Sequence, residues 1–339
     1  MNSGLAAASA VCIAALLDWL LGDPRWLLHP VQVIGWLIRR WQQWVEAWAG
    51  DQPWKLRTGG FAITLLLVTG SGLVGWSIEQ LTRTESNLSV IGWVVLVLAM
   101  ASALAARSLH DSVLAVIKAL PAKPSDDLKL ARERLSWIVG RDVSQLNEAE
   151  ILRAAVESAS ENAVDGLFAP LFWMGVGSVL WSVDPSMPGP LALAWMFKAS
   201  STLDSMLGYR SGRLRWLGTA GARLDDLLTW VPCRLVMLTL PLISQPWTQW
   251  LDVIRSAERD GAADPSPNAG RSEAIYAHCI GIKLGGENRY GERLVQKPLL
   301  GAGQPIPNVT LVKNVLKASS RLEIVWLSGL VIIQWAISR

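Results

Sequence analysis

With 339 residues, 51% of them hydrophobic and 17% charged, the chain is too apolar for an ordinary soluble enzyme and too charged for a bare membrane bundle. The net charge of +3 is small and the basic residues are spread over loops, which speaks against nucleic acid as a partner. Cys12, Cys233 and Cys279 stand far apart without CxxC spacing, so neither a zinc site nor a disulfide framework is indicated.

The first apolar run, residues 5–21, lacks the basic leader of a secretory signal and reads as a retained transmembrane helix. GDPRWLLHP follows; Gly22 and Pro24 break the helix and leave Asp23 and His29 at its mouth. A histidine beside proline is either a hydrogen-bonded structural group or a catalytic one. Residues 32–48 form an amphipathic, tryptophan-rich helix with Arg39 and Arg40, suited to lying along a membrane surface. Nineteen tryptophans against three tyrosines fit rings seated at lipid headgroups. Residues 61–81 and 88–106 are the next two spans. The basic segment at 107–150 is cytoplasmic by the positive-inside rule, which brings the acidic helix after it to that side.

In that helix Leu152, Val156, Ala159, Ala163 and Leu167 share one face, while Glu157, Glu161 and Asp165 recur every four residues on the other; Gly166 is expected to end it. Like charges so spaced repel by about 0.2–0.5 kcal/mol per pair, and Arg153 can neutralise only one of them. A Mg²⁺ ion, with Asn162 and Ser158 close by, satisfies the pattern. So does a solvated face with arginine partners.

Residues 167–183, 191–203, 227–243 and 322–337 are further apolar candidates. Strict alternation over all seven would put the basic loop 245–321 outside, so one does not cross; 191–203, short and carrying Lys198, is the choice. The expected fold is an all-α polytopic membrane protein with about five to seven transmembrane or membrane-embedded helices. One integral-membrane catalytic domain covers 1–339, and helical cytoplasmic segments at roughly 22–60, 107–166, 204–226 and 245–321 form the active site.

Polar groups then gather in three blocks. KASSTLDSMLGYRSGRLRWLGTAGARLDD interleaves Lys198, Asp204, Tyr209, Arg223, Asp225 and Asp226, a mixture that suits metal-bridged phosphates or interfacial ion pairs. DPSPNAGRSEA offers Ser266 and Asn268 as helix caps, at a helix N-terminus that is also an anion site. GIKLGGENRYGER has the glycines a phosphate-cradling loop requires. No Walker A loop, dinucleotide fingerprint, nucleophile elbow or HExxH motif occurs.

Together with GDPRWLLHPVQVIG, LSWIVGRDVSQL and ESASENAVDGLFAPLFW, these blocks resemble the adenosylcobinamide-phosphate synthases of cobalamin biosynthesis, in register over residues 18–301. The resemblance implies a multi-pass bacterial inner-membrane enzyme with its active site facing the cytoplasm. It joins adenosylcobyric acid to (R)-1-amino-2-propanol O-phosphate, or a related amino alcohol phosphate, with ATP and Mg²⁺. Expected catalytic groups are Glu157, Glu161, His29 and Lys198. Expected metal ligands are Glu157, Glu161 and Asp165, shared with Asp225 and Asp226. Asp23, Arg141, Asp142, Asn162, Asp204, Tyr209, Arg223, Ser266, Asn268, Gly285, Gly286, Asn288 and Tyr290 are expected to bind substrate or nucleotide. Beyond the substrates, the lipid bilayer is a partner, and neighbouring cobalamin enzymes or a second copy of the chain stay open. Asp264 and Arg271 depart from the family pattern, where a basic or His residue and an aromatic are common. An intramembrane prenyltransferase is the alternative, although its paired DxxxD-type acids are not the ExxxExxxD spacing found here; a transporter is a third reading.

Overall fold

The computed structural model describes residues 3–22, 29–84, 88–121, 127–290 and 293–339, and Asp23 falls outside them. Helices dominate: α1 Ser3–Leu21, α2 Pro30–Ala49, α3 Pro53–Leu81, α4 Leu88–Ala101, α5 Ala106–Lys118, α6 Lys129–Ser136 and α7 Glu148–Ala163. They continue with α8 Ala169–Val183, α9 Pro190–Leu207, α10 Leu214–Leu217, α11 Thr219–Ser244, α12 Trp250–Gly261, α13 Ala269–Ile280 and α14 Val309–Ile337. A hairpin of β1 Leu284–Tyr290 and β2 Arg293–Leu300, antiparallel, interrupts the pattern between α13 and α14.

Among the described residues, six helical stretches have the length and apolar composition to cross a membrane: α1, α3, Leu88–Lys118, Glu148–Val183, α11 and α14. At a rise of about 1.5 Å per residue even the shortest, α1, matches a hydrocarbon core of about 30 Å. Residues 191–203 lie in α9, which is not among the six. The chain is a helical, multi-pass protein by this measure, with almost no sheet.

Contacts divide the chain into two compact units. Unit 1 holds Met1–Ala105, Ala169–Thr229 and Trp326–Arg339; unit 2 holds Ala106–Phe168 and Trp230–Val325. In unit 1, Ile34 and Ile38 of α2, Ile63 and Leu67 of α3, and Ala199 and Leu203 of α9 form a common core. Close helix approach depends on small residues there: a Cβ at Gly75 of α3 would stand 2.8 Å from the Cα of Ala192 in α9. Glu79, fully buried in the last turns of α3, accepts from the backbone N–H groups of Gly189, Leu191 and Ala192 at 2.8–2.9 Å. A carboxylate on the positive end of α9 satisfies donors that the helix cannot satisfy itself.

In unit 2, Val116, Ala131, Leu135, Ile151, Ala154 and Ala155 of α5, α6 and α7 form the core. A capping box starts α7: Glu150 N–H donates to Asn147 Oδ1 at 3.0 Å and Asn147 N–H to Glu150 Oε2 at 2.8 Å. Gly166 does not end this helix. One π-helical turn, Val164–Phe168, absorbs the glycine and carries the chain into α8, so the acidic helix and the next apolar span are one continuous stretch.

Candidate active site

The apolar face read from the sequence holds: Leu152, Val156, Ala159, Ala163 and Leu167 are all buried. The acidic face differs, because Glu157 is also buried, and a buried carboxylate needs partners. Arg141 Nη2 donates to its Oε2 at 2.6 Å, Arg153 Nη1 to Oε1 at 3.3 Å, and Gly285 N–H to Oε1 at 2.9 Å. The two arginines are then tied to the hairpin. Arg141 and Arg153 both donate to Asn288 Oδ1, and Arg153 also donates to the carbonyls of Gly285 and Glu287. Glu157 therefore clamps α7 to β1, and both its oxygens accept from guanidinium or amide donors.

The glycine block has the same purpose. It forms a hairpin with a register irregularity between Leu284 and Gly286. Gly285 and Gly286 have φ of +79° and +94°, and a Cβ on Gly285 would collide with the Pro298 carbonyl. Gly285→Ala is accordingly expected to lower the melting temperature by a few degrees, reflecting about 1 kcal/mol or more, and to loosen the Glu157 clamp.

Above the clamp lies a cavity of about 110 Å³ lined by Arg141, Glu157, Glu161, Asn162, Glu273, Asn288, Tyr290 and Lys297, with the loop after α6 as one wall. All of these belong to unit 2. Lys297 Nζ stands 3.0 Å from Glu273 Oε1, whose side chain is 2% exposed. Burial pushes the Glu273 carboxyl up to about 8, with Glu157 and Glu161 adding to the rise against the pull of Lys297. Burial alone would depress the Lys297 ammonium; Glu273 and Glu161 outweigh it and hold the group charged. Arg141 Nε and Asn288 Nδ2 are buried donors with no hydrogen-bond partner among the described residues. Both residues line the same cavity as the Lys297 ammonium.

Among the described residues no three His, Cys, Asp or Glu side chains converge as a metal-holding group. Asp165 sits on the π-helical turn and Glu157 is committed to its arginines. A reduced donor set fits Mg²⁺, which takes one or two carboxylates and completes its shell with phosphate and water. Glu161 supplies a carboxylate to the cavity, and Asn162, whose amide N–H₂ faces Ser158, has its carbonyl oxygen to offer.

The remaining expected residues resolve individually. Asp142 accepts from Ser144 N–H at 2.9 Å, which holds its carboxyl below the usual range, while its own N–H pairs with the Arg289 carbonyl. Ser266 Oγ accepts from the N–H groups of Asn268 and Ala269 and opens α13, and Asn268 Oδ1 accepts from Arg234 at 2.6 Å. Ser266 thereby shapes the start of α13, and Asn268 ties it to Arg234. The two departures are similarly local: Asp264 accepts from Ser266 N–H, and Arg271 forks onto both oxygens of Glu258 at 2.6 and 2.8 Å.

His29, Lys198, Asp204, Tyr209, Arg223, Asp225 and Asp226 all belong to unit 1. His29 Nδ1 accepts from Val31 N–H at 3.3 Å and caps α2. Asp225 is buried in α11, whereas Tyr209, Arg223 and Asp226 line a second cavity. Glu273 and Lys297 are the residues that sequence reading passed over. The available signal was slight: Glu273 is the single acid of the helix AGRSEAIYAHCI.

A family model described as CobD/Cbib protein matches residues 11–319. The cobalamin biosynthesis protein CobD of Synechocystis sp. is 42% identical over 323 residues, covering 94% of this chain and 90% of that one. The protein of the same name from Yersinia enterocolitica is 41% identical, covering 86% of this chain and 87% of its own. Cobalamin biosynthesis protein CbiB of Salmonella typhimurium is 39% identical, covering 87% of each. No solved structure matches.

Proposed function

The chain belongs to the CobD/Cbib protein family, and from that premise we propose that it acts in cobalamin biosynthesis as an ATP-dependent acid–amine ligase of the bacterial inner membrane. Its substrates are adenosylcobyric acid and an amino alcohol phosphate such as (R)-1-amino-2-propanol O-phosphate, and its product is adenosylcobinamide phosphate. The observation that carries the reading is the unit 2 cavity, where Arg141 Nε and Asn288 Nδ2 lack partners beside the Lys297 ammonium. The basic loops of unit 2 favour a cytoplasmic orientation, where ATP is found.

A carboxylate does not condense with an amine unless its oxygen leaves as a better group. The terminal phosphoryl of ATP passes to the corrinoid carboxylate, releasing ADP; the amine then attacks the acyl carbon, and phosphate departs with one proton left to remove. Positioning and charge neutralisation dominate such transfers. Arg141, Asn288 and Lys297 supply donors to the phosphoryl oxygens. A Mg²⁺ ion, held by Glu161 and Asn162, would supply positive charge to offset that of the transferring phosphoryl group. Glu273, poised near neutrality, accepts the proton of the attacking ammonium.

The test is an assay in membranes containing the chain: ATP, adenosylcobyric acid and the amino alcohol phosphate should yield ADP and the amide in equal amounts. Glu161→Gln should raise the Mg²⁺ concentration needed for half-maximal rate by about tenfold or more. Wild-type rate with unchanged Mg²⁺ dependence would remove Glu161 from the metal site.

A further inference from the structure

The second cavity, in unit 1, has a charge that its neighbours do not balance. It measures about 320 Å³ and is lined by Arg57 of α3, Arg210 of the loop after α9, Arg215 of α10 and Arg223 of α11, against the single carboxylate of Asp226. All four arginines are exposed, and among the described residues none has an acidic side chain within ion-pair distance, whereas Arg213 close by is paired with Asp51 at 2.7 Å.

Two of the four are held in place. The Arg57 guanidinium lies 4.3 Å from the centre of the Trp216 ring and that of Arg215 lies 4.9 Å from it, so the indole orders both cations. Bringing four guanidiniums to one cavity costs Coulomb repulsion and side-chain entropy unless an anion offsets it. The first turn of the 26-residue α11 also begins at the cavity, at Thr219, and adds the partial positive charge of a helix N-terminus. Guanidinium forks match the oxygens of a phosphate two at a time, and a volume of this size admits the group that the phosphate carries.

We propose that this cavity is a phosphate-ester site, in which Arg57, Arg210, Arg215 and Arg223 take the phosphate and Trp216 fixes two of those arginines. It lies in unit 1, whereas the cavity lined by Glu161 and Lys297 lies in unit 2. Two sources carry such a group: a water-soluble phosphate ester, or the headgroup of an anionic lipid reaching the membrane-spanning unit.

The full chain, reconstituted in phosphatidylcholine nanodiscs, is titrated with pyrophosphate by calorimetry, and retention of phosphatidylglycerol from mixed nanodiscs is read by native mass spectrometry. Arg210→Gln with Arg223→Gln is compared with wild type and with the double Arg→Lys variant. The double Gln variant is expected to weaken pyrophosphate binding or phosphatidylglycerol retention about tenfold, and the Lys variant to restore most of it. A change confined to pyrophosphate identifies a soluble ester, and one confined to the lipid identifies a headgroup. Equal values for wild type and the double Gln variant on both probes overturn the proposal. Because both substituted side chains are exposed, the variant folds; a melting curve superimposed on wild type verifies this.

Discussion

Glu157→Ala is expected to destabilise the protein by about 3–5 kcal/mol and to abolish amide formation, because removing one partner of a buried ion pair strands the others. The side chains of Glu157, Arg141 and Arg153 are 6%, 6% and 13% exposed, so solvent cannot replace the carboxylate. Without it, two guanidiniums and the Gly285 N–H face one another across the junction of α7 and β1. Arg141 loses the contact that orients it toward the cavity. Melting in detergent separates this role from that of a metal ligand. A clamp variant melts lower at every Mg²⁺ concentration, whereas a ligand variant keeps its stability in the absence of Mg²⁺ and loses only the metal's contribution. A melting temperature within about 2 °C of wild type would show that the clamp holds no stability.

The residues that could be read from the sequence and those that could not differ in a physical way. The membrane spans were legible because an apolar run of fixed length is a local property, and the six stretches follow it. The apolar face of α7 was legible for the same reason, since helical periodicity needs no tertiary information. The fate of the acidic face was not. Glu157, Glu161 and Asp165 look equivalent at four-residue spacing, yet one is clamped by Arg141 and the hairpin, one faces a cavity, and one lies on a π-helical turn. That distinction depends on Arg141 and Asn288, residues 147 apart in sequence that meet only after folding. Glycines were ambiguous in a like manner, because positive φ serves a β-bulge as well as a phosphate loop. Glu79 and Glu273 were passed over because each is a lone acid in its helix, and only the partner, three backbone N–H groups or a lysine, shows why it is tolerated.

Glu273→Gln is expected to reduce the rate of amide formation about 100-fold, at the low end of the 10²–10⁴ that a positioned general base contributes, with little change in substrate KM. The amine arrives as an ammonium and must lose a proton before or as it attacks; a carboxylate can take that proton and an amide cannot. Burial lifts the Glu273 carboxyl to about 8, and the working form is the ionised one, so the wild-type rate should rise as pH climbs through about 8 and then level. In the Gln variant that limb disappears. Lys297 provides an independent check on the assignment: its ammonium, 3.0 Å away, pulls the Glu273 pKa down, so Lys297→Met should move the limb to higher pH. Stability runs in the opposite sense to rate. A carboxyl whose pKa is raised in the folded state lends stability that is full below its ordinary value of 4.5 and is lost as pH rises through about 8, and the Gln variant should not show this loss. Were Glu273→Gln to keep both the wild-type rate and the limb, Glu273 would be a structural counter-ion for Lys297, and the proton would have to leave through Glu161, another carboxylate that lines the cavity.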